Sequence, residues 1–467
     1  MSTVTRRDFA RLIAGTGVAA AFAQLARTSA IAAPSSSFRA MVGVFLFGGN
    51  DGWNMVVPAD SRYAGYAASR GTVALQQSAL TALTGSGFAL HPAMASLRGA
   101  WDEGALGLVL NAGTLHAPLT KTLYQTRGDL RPSNLLSHSD EQAHWQGLRA
   151  RTENYDGFMG RLTDRAATTT TPSLISIAGS QLAILGQRSS PLILPSTGTL
   201  TRTAYAAGAN PKNAAIEAFA SGAGLGTITD TTASQMTQAY TQATAANTIL
   251  SATSGVDAHF VNPTTGAALT SDIARQLLRV ARMIEARDQM GHGRQTFFVS
   301  QGGYDNHSAQ VNANTATGTH ANLLGDLALA LAAFHSAMKA QGMSENVTAF
   351  TMSDFGRTYR GNAQLGTDHA WGSNHLVLGS GLVARTAFGA YPSTTLGGPD
   401  DVATEGRFLP TIAQEEYLGA IARWHGVAES DLGYVFPNWS TWTTGGRAPL
   451  GLFRPQGRSP TNPVRLD

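Results

Sequence analysis

The chain contains 467 residues, with 33 lysines and arginines against 30 aspartates and glutamates, a net charge of +3. This length suits two or three domains of ~150 residues each, or one large α/β domain. The chain has no cysteine, which excludes a disulfide framework, a thiolate zinc site and a cysteine nucleophile. The positive excess would indicate nucleic-acid binding only if it were clustered in the folded domain.

The first 32 residues are typical of an export signal. Arg6 and Arg7 precede a modest apolar run from Leu12 to Ala26, and residues 30–32 offer an A-x-A cleavage site. The layout resembles a bacterial twin-arginine signal; the alternative is an ordinary amphipathic helix. The run is too short and too rich in Gly and Ala for a transmembrane helix. We therefore predict a twin-arginine signal peptide at 1–32 and export by the twin-arginine translocase. The product would be periplasmic or secreted, with no stable membrane span after cleavage.

The positive excess of the chain lies in this segment. Residues 1–32 carry four arginines and one aspartate, a net of +3, so the predicted mature chain is formally neutral. The mature chain has only three lysines and no Lys/Arg-rich run. We therefore predict no nucleic-acid binding, whereas a small or polymeric anionic substrate could still bind at a local site.

The mature chain begins with a predicted buried strand. Residues 41–47 are continuously apolar and lead into a glycine-rich loop at 48–52, as in a buried parallel strand. Helical spacing follows over 91–103, and further strands are predicted at 106–110 and 173–178. Residues 200–265 are rich in Ala, Thr, Gly, Ser and Asn, which predicts an insertion or cap of loops and weak helices.

The second half repeats strand, polar loop and helix. The patterns predict an amphipathic helix over 271–290, a strand over 296–299, a helix over 322–339 and a strand over 347–352. This alternation predicts an α/β fold with a mostly parallel central sheet and helices on both faces. We expect a single α/β domain over residues 33–467, with the low-complexity insertion at about 200–265.

Carboxylates and histidines follow three of the predicted strands. Because ligands gather outside the carboxyl ends of strands in open α/β sheets, these side chains should meet although they are distant in sequence. Carboxylate and imidazole groups are ligands for Zn, Mn and similar ions, although a strand-end Asp is also a common helix cap. We predict a divalent-metal site from Asp51, Asp305, His307, Asp354, Asp368, His369 and His375.

Two further features belong to the same predicted cleft. Ser137 precedes a helix-like stretch to Leu148, so it is either a plain N-cap or a nucleophile at the helix N-terminus. His138 lies beside it, and Arg357 follows the strand at 347–352. The chain has no G-x-S-x-G elbow, Walker A loop or H-E-x-x-H motif, so these serine-hydrolase, nucleotide-binding and zincin classes are not indicated.

Several stretches resemble a large secreted bacterial family, domain of unknown function 1501 (DUF1501), often described as twin-arginine signal proteins. The resemblance extends over about residues 39–440. The stretches are FLFGGNDGWNMVVP from Phe45, HPAMASL from His91, LSHSDEQAHW from Leu136, SQGGYDNHSAQ from Ser300, SDFGRT from Ser353 and GTDHAWGSNHLVLGSG from Gly366.

The family in turn resembles a remote branch of the alkaline phosphatase and sulfatase superfamily. This resemblance implies an alkaline-phosphatase-like sheet with two divalent ions (Zn, Mn or Ca) at the strand ends. It implies Asp51 as the first-strand ligand and Ser137 at the position of the nucleophile. The implied ligands of the two ions are Asp305 and His307 for one, and Asp354 or the pair Asp368-His369 for the other, with His375 as an additional ligand.

The sequence departs from the superfamily pattern at two places. Phe355 follows Asp354 where the superfamily usually has His, and Ala370 follows Asp368-His369 where the family commonly has Gly. The sulfatase signature that yields an aldehyde residue is also absent from the sequence. Aldehyde-dependent sulfatase chemistry is therefore not expected.

The sequence thus favours an exported metal-dependent hydrolase of anionic esters, with phosphate esters as the leading substrates. Two ions would stabilise the attacking and leaving groups. Ser137 would attack in line, while Arg357 or His138 would offset the charge that develops on the transferred group. Two alternatives stay open: a non-catalytic exported binding or assembly protein that retains the fold, and a serine esterase without metal.

Overall fold

The computed structural model describes residues 38–165, 172–200, 218, 226–444 and 446–455. Within these ranges the chain forms a nine-stranded mixed sheet and a separate three-stranded sheet. The predicted signal peptide at 1–32, with its paired arginines and cleavage site, lies outside the described residues, as does part of the predicted insertion. The boundaries 1–32 and 33–467 therefore stay a prediction.

The large sheet is mostly parallel. Its strand order is β11-β5-β10-β9-β1-β8-β6-β7, with β12 also pairing with β5. Only β10 runs antiparallel to its neighbours β5 and β9, whereas β9, β1, β8, β6 and β7 are parallel. The small sheet has the antiparallel order β2-β4-β3. The strands are β1 (Arg39–Leu46), β2 (Val56–Pro58), β3 (Thr81–Leu83), β4 (Phe88–Leu90), β5 (Leu106–Gly113), β6 (Leu174–Ser176), β7 (Leu192–Ile193), β8 (Arg294–Gln301), β9 (Val347–Ser353), β10 (Ser373–Leu378), β11 (Ala387–Phe388) and β12 (Ile412–Ala413).

The helices differ widely in length. The described α-helices are α1 (Gly52–Met55), α2 (Tyr63–Arg70), α3 (Arg98–Asp102), α4 (Lys121–Thr126), α5 (His138–Gly147), α6 (Phe158–Asp164), α7 (Thr227–Ser251), α8 (Asp272–Glu285), α9 (Thr319–Ala340), α10 (Gln414–His425), α11 (Leu432–Val435) and α12 (Trp439–Thr443). Short 3₁₀ helices occupy Gly71–Val73, Gln77–Ala79, Pro92–Leu97, Gly128–Leu130, Leu182–Ile184, Gly255–His259 and Glu429–Asp431.

Helices cover both faces of the large sheet. Successive side chains of a strand point to opposite faces, and β1 follows this rule. Its Val42 and Val44 belong to a hydrophobic core shared with α8 and α9, whereas Met41 and Phe45 belong to a second core shared with α6 and α10. The predicted α/β fold with a mostly parallel sheet and helices on both faces is confirmed.

Two stretches differ in detail from the sequence expectation. The helix predicted over 91–103 is a 3₁₀ helix followed by α3, because Met94 has non-helical dihedrals (φ −98°, ψ 18°) that break the α-helical ladder. The described part of the predicted insertion contains α7, a helix of 25 residues. Ala246 and Leu250 of α7 pack into the core with α8 and α9.

Helix α9 lies in the interior. By length and composition it is the one helix of the described ranges that could cross a membrane, yet 61% of its most apolar window is buried. It packs along α8 and along the 3₁₀ helix Pro92–Leu97, and an all-round apolar helix is typical of a protein core. Burial in the core therefore accounts for its composition.

Candidate metal centre

Three neighbouring parallel strands end along the same edge of the sheet, the edge formed by their carboxyl-terminal ends. In the order β9-β1-β8 they end at Ser353, Leu46 and Gln301. Asp354 follows β9 directly, and Asp305 lies four residues beyond the end of β8. Helix α5 begins over the same edge. The parallel sheet thus gathers the polar residues of distant segments, as expected for open α/β folds.

His138, Asp305 and His369 form a triad that could hold a metal ion. One ligand atom from each lies within 4.8 Å of the others. Asp305 Oδ1 is 3.4 Å from His138 Nε2 and 3.6 Å from His369 Nε2. Their side chains are partly open to solvent, with Asp305 48% exposed, so an ion could reach them. Two imidazoles and a carboxylate suit transition metals such as zinc.

Asp354 orients the first imidazole of the triad. Asp354 Oδ2 lies 2.7 Å from His138 Nδ1, and it also accepts from Gln142 Nε2 at 2.8 Å and from the Gly48 amide at 3.2 Å. A carboxylate accepts hydrogen bonds, so Nδ1 carries the hydrogen and the lone pair of His138 lies on Nε2. This Nε2 is buried without a hydrogen-bond partner. Such a carboxylate–histidine pair is the usual support of a metal-binding imidazole.

A backbone carbonyl orients the second imidazole. His369 Nδ1 donates to Leu136 O at 2.8 Å, which leaves the lone pair of His369 on Nε2. Leu136 adopts φ 72° in the turn before α5, a left-handed conformation that is uncommon for a bulky residue. Burial lowers the pKa of His369, and the positive charge of Arg357 lowers it further. The hydrogen bond to the Leu136 carbonyl raises the pKa but does not cancel these effects. The neutral imidazole is the form that binds metals.

Arg357 holds the loops of the triad together. Its Nη2 donates to Asp305 Oδ1 at 2.6 Å and to the carbonyl of Tyr304 at 3.1 Å. Its Nε donates to the carbonyl of Gly49 at 2.7 Å, and Nη2 also bonds that of Gly48. Its side chain is 1% exposed, so the guanidinium binds loop carbonyls and does not face a substrate. Partial burial raises the pKa of Asp305, but Arg357, with smaller contributions from His307 and His138, lowers it overall.

Phe355, which stands in place of the expected His, packs against the triad. Its ring centroid lies 4.7 Å from that of His138 and 4.6 Å from that of His369. The side chain is buried, so it restricts both imidazoles to their observed orientations. The residue that replaces an expected ligand therefore supports the two histidines of the triad.

His307 and Asp368 lie at the exposed rim of the triad. His307 Nδ1 is 2.9 Å from Asp368 Oδ1, and the side chains are 45% and 47% exposed. His307 Nε2 is 3.0 Å from Asp305 Oδ1. Of the predicted ligands, the structure thus brings Asp305, His307 and His369 together. Asp354 and Asp368 are hydrogen-bonded to His138 and His307, and neither belongs to the triad.

Asp51 has a different place from the one expected of a metal ligand. Its Oδ2 forms a buried ion pair with Arg70 and accepts from Gln310 Nε2 at 2.6 Å. Its Oδ1 accepts from the amides of Trp53 and Asn54 at the start of α1. Burial raises the pKa of Asp51, but the charges of Arg70 and His320 and the hydrogen bonds from Gln310 and Arg70 together lower it overall. The carboxylate therefore acts as a helix cap and ion-pair partner, because both oxygens are already engaged.

His375 and Ser137 also lie apart from the triad. His375 is buried on β10, where its ring packs against Trp145 at 4.9 Å and Tyr417 at 5.8 Å between centroids. Ser137 occupies the N-cap position of α5 but caps no amide with its side chain. Its hydroxyl donates to Asp140 Oδ2 at 2.6 Å. This bond is the main cause that lowers the pKa of Asp140, which makes that carboxylate a weak base for activating Ser137.

Sequence reasoning overlooked two partners and one role. Gln142 lies four residues after His138, so both reach Asp354 from one face of α5. That i,i+4 spacing in LSHSDEQAHW was a usable signal. His138 was expected to offset charge, but its Nε2 faces the centre as a ligand would. The carbonyl of Leu136 could not have been found, because every residue carries one.

The comparisons with known proteins place the chain in a family without assigning an activity. One similar solved structure is described as "Crystal structure of Ps i-CgsB in complex with k-i-k-neocarrahexaose"; it is 9% identical, with a TM-score of 0.36, over 88% of this chain and 77% of that chain. No curated protein matches the chain. The model of the family "Protein of unknown function (DUF1501)" matches residues 39–415. The chain therefore belongs to the DUF1501 family.

Proposed function

We propose that the protein is an exported, metal-dependent hydrolase of anionic esters, with phosphate esters as the leading substrate class. The observation that carries the proposal is the triad itself: His138 Nε2 and His369 Nε2 face Asp305 Oδ1, and Asp354 and the Leu136 carbonyl hold their Nδ1 atoms. Two preoriented lone pairs beside a carboxylate favour a bound cation over an internal hydrogen-bond network.

The chemistry follows from the ligands. A divalent ion held here would polarise an ester oxygen and make water a better nucleophile near neutral pH. The reaction would consume one water and release an alcohol and the free anion. We propose water as the nucleophile, because the Ser137 hydroxyl is bonded to Asp140. Arg357 positions Asp305 and does not bind the ester, since its donors are used by loop carbonyls.

The proposal requires one ion at the triad. A second ion, and the choice among Zn, Mn and Ca, stay predictions from the superfamily resemblance. Asp51, the expected first-strand ligand, forms an ion pair with Arg70. This ion pair argues against a second ion bound by Asp51. The number of ions bound per chain is the measurement that decides between one and two.

Export is part of the proposal. The paired arginines Arg6 and Arg7, the apolar run and the A-x-A site support a twin-arginine signal at residues 1–32. Export of an already folded chain suits a protein that acquires its metal before translocation. The mature protein would act in the periplasm or outside the cell, on a small or polymeric anionic ester.

One observation favours the non-catalytic alternative. No residue in the described ranges shows the pattern of an activated side-chain nucleophile at the triad, since Ser137 faces Asp140. A DUF1501 protein that binds a metal for stability or assembly would need no nucleophile. The two functions differ in whether hydrolysis depends on the triad.

The deciding experiment measures ester hydrolysis by the full chain freed of its signal. Phosphate, sulfate and carboxylate esters of one chromogenic alcohol are compared, with added Zn²⁺ or Mn²⁺ and after chelation. Variants His369→Ala and Asp305→Ala remove ligands, whereas His259→Ala is the matched control, because its Nδ1 lies beside Ser336 Oγ. Ser137→Ala tests the nucleophile.

The hydrolase proposal predicts phosphate-ester hydrolysis that chelation abolishes and metal restores. It predicts loss of activity in both ligand variants and retention in His259→Ala and Ser137→Ala. Hydrolysis that persists in Asp305→Ala after chelation would refute it. Metal binding without hydrolysis of any of the three esters would favour the binding or assembly alternative.

A further inference from the structure

The buried face of α5 carries a polar cluster that the proposed hydrolysis does not use. Glu141 Oε2 lies 2.8 Å from Oγ1 of Thr114, the residue after β5. The same hydroxyl lies 3.2 Å from Oε1 of Gln414, the first residue of α10. All three residues are 0% exposed. The cluster therefore joins α5, β5 and α10 in a region that is closed to solvent.

The orientation of the Gln414 side chain follows from its second contact. Nε2 donates to the backbone carbonyl of His144 at 2.9 Å, and a carbonyl can only accept. Oε1 is therefore the atom that faces Thr114. The position of Thr114 is fixed in turn, because its carbonyl accepts from Trp371 Nε1 at 2.7 Å. The hydroxyl of Thr114 thus lies between two oxygen atoms, one from each helix.

Hydrogen counting assigns the protonation state of Glu141. A threonine hydroxyl has one hydrogen to donate. If Glu141 were ionised, its Oε2 and the Oε1 of Gln414 would both be acceptors, and one of them would stay buried without a donor. A protonated Glu141 removes this conflict, because its Oε2 donates to Thr114 and Thr114 donates to Gln414. Both hydrogen bonds then form, as buried polar groups require.

The charged groups around the cluster give an ionised Glu141 little support. His144, on the same helix, is the titratable group that faces the carboxyl, with Nδ1 3.8 Å from Oε2, which is too long for a hydrogen bond. On α10, Glu416 is paired with Arg447, and the buried Glu415 could add only negative charge. Among the described residues, no lysine or arginine forms an ion pair with Glu141.

The cluster lies next to the supports of two triad histidines. Glu141 is three residues after His138 on the same helix. The amide of Leu136 faces the Glu141 carboxyl, and the carbonyl of Leu136 accepts from His369 Nδ1. A movement of α5 would therefore displace one imidazole directly and the other through its support.

We infer that Glu141 is a positioning residue that acts in its protonated form: it donates a hydrogen bond to Thr114 and thereby fastens α5, with His138, to β5 and α10. The inference goes beyond the proposed function, because it depends on neither a bound ion nor hydrolysis. Ionisation would place a charge without a counter-ion in the core and remove the donated hydrogen bond. Helix α5 would then be held less firmly, and the triad with it.

The proton of Glu141 makes the attachment of α5 dependent on pH. Burial raises the pKa of Glu141 and outweighs His144, Thr114 and the Leu136 amide, which lower it. In an opened α5 the carboxyl would be in water, with an ordinary pKa of about 4.3. The stabilisation is therefore complete below about pH 4.3. Above this value the opening equilibrium of α5 rises about tenfold per pH unit until the raised pKa is reached, where the stabilisation is lost.

The test uses the full mature chain without metal or ester. Infrared spectra report the C=O band of a protonated carboxylic acid. The difference between the wild-type protein and Glu141→Gln isolates this residue, because Glu415 is present in both proteins. Hydrogen exchange of the amides of residues 136–147, corrected for the intrinsic rate, reports the opening of α5 between about pH 5 and 7. Thr114→Val removes the joining hydroxyl, and Glu153→Gln, which removes an exposed carboxyl, is the matched control.

The inference predicts a protonated-acid band at about pH 7 that Glu141→Gln removes and Glu153→Gln keeps. The opening of wild-type α5 should rise about tenfold per pH unit, whereas Glu141→Gln should lack this rise, because its amide donates to Thr114 at any pH. Thr114→Val should exchange faster than the wild-type protein throughout the range. No band difference, an equal pH dependence in Glu141→Gln, or wild-type exchange in Thr114→Val would overturn the inference. The predicted results without hydrolysis of any ester would refute the hydrolase proposal alone.

Discussion

The assignment of Asp51 to a cap and ion pair, instead of a metal ligand, can be tested by removing its charge with and without its partner. Asp51→Ala leaves the guanidinium of Arg70, which is 0% exposed, without its counter-ion. It also removes the acceptor of Gln310 and of two amides of α1. Breaking a buried ion pair on one side costs about 3–5 kcal/mol. The single variant should therefore be strongly destabilised.

The double variant Asp51→Ala/Arg70→Met separates the two roles. It leaves no buried unpaired charge, and replacing a buried ion pair by apolar side chains is often neutral. We expect it to recover at least about half of the lost stability. The double variant still lacks the cap of α1 and the hydrogen bond from Gln310. If Asp51 is only structural, this variant also binds one zinc ion with the affinity of the wild-type protein.

Urea unfolding of the metal-free protein gives the stability changes as shifts of the transition midpoint, and equilibrium dialysis gives the zinc bound to the folded variants. A double variant as unstable as Asp51→Ala would contradict the ion-pair role of Asp51. A folded double variant that binds zinc more weakly than the wild-type protein would show that Asp51 contributes to the metal site.

Three further changes have expected outcomes. Asp354→Asn weakens the support of His138 and should lower zinc affinity about 10–100-fold, measured by competition with a chelator. Gly48→Ala should reduce both zinc affinity and the unfolding midpoint, because φ is +108° and a Cβ would lie 2.5 Å from the amide of Asp305. Burial raises the pKa of Glu415 from near 4.5 to about 8. The folded state therefore keeps a proton that the unfolded state loses, and the stability contributed is complete below pH ~4.5 and disappears as pH rises through ~8. Glu415→Gln should flatten this fall, measured as urea midpoints across that range.

For each of these three changes, one outcome would contradict the expectation. Zinc affinity unchanged in Asp354→Asn would mean that His138 does not bind the ion through the supported nitrogen. A Gly48→Ala protein with wild-type stability and affinity would mean that the loop after β1 can move away from Asp305. Glu415→Gln with the same pH dependence as the wild-type protein would mean that Glu415 does not titrate in this range.

The fold and the location of the centre were predictable from the sequence because they depend on patterns within short segments. Buried runs predicted β1, β8 and β9, and the rule that parallel strands end at one edge predicted that Asp305 and His369 would meet. The antiparallel strand β10 was not predicted. His375, which follows Asp368-His369 closely in sequence, was therefore predicted as an additional ligand, whereas β10 carries it into the core beside Trp145.

The role of each polar residue was less predictable because it depends on partners far away in the chain. A strand-end Asp is compatible with a cap or a ligand, and the choice at Asp51 depends on Arg70 in α2 and Gln310 beyond β8. The tautomer of His369 depends on a left-handed turn at Leu136, which no side-chain pattern indicates. Asp305 and His369 were predicted as ligands from the sequence, whereas the long-range contacts of His138 and Asp51 decided that the first faces the triad and the second does not.

The central claim is that one metal ion lies among His138, Asp305 and His369. The most direct measurement is anomalous diffraction at the zinc absorption edge from crystals of the full mature chain grown with Zn²⁺. The account predicts one strong peak about 2.0–2.1 Å from Asp305 Oδ1 and from the Nε2 atoms of both histidines. A map without a peak at these atoms, or with the ion bound by other residues, would contradict it.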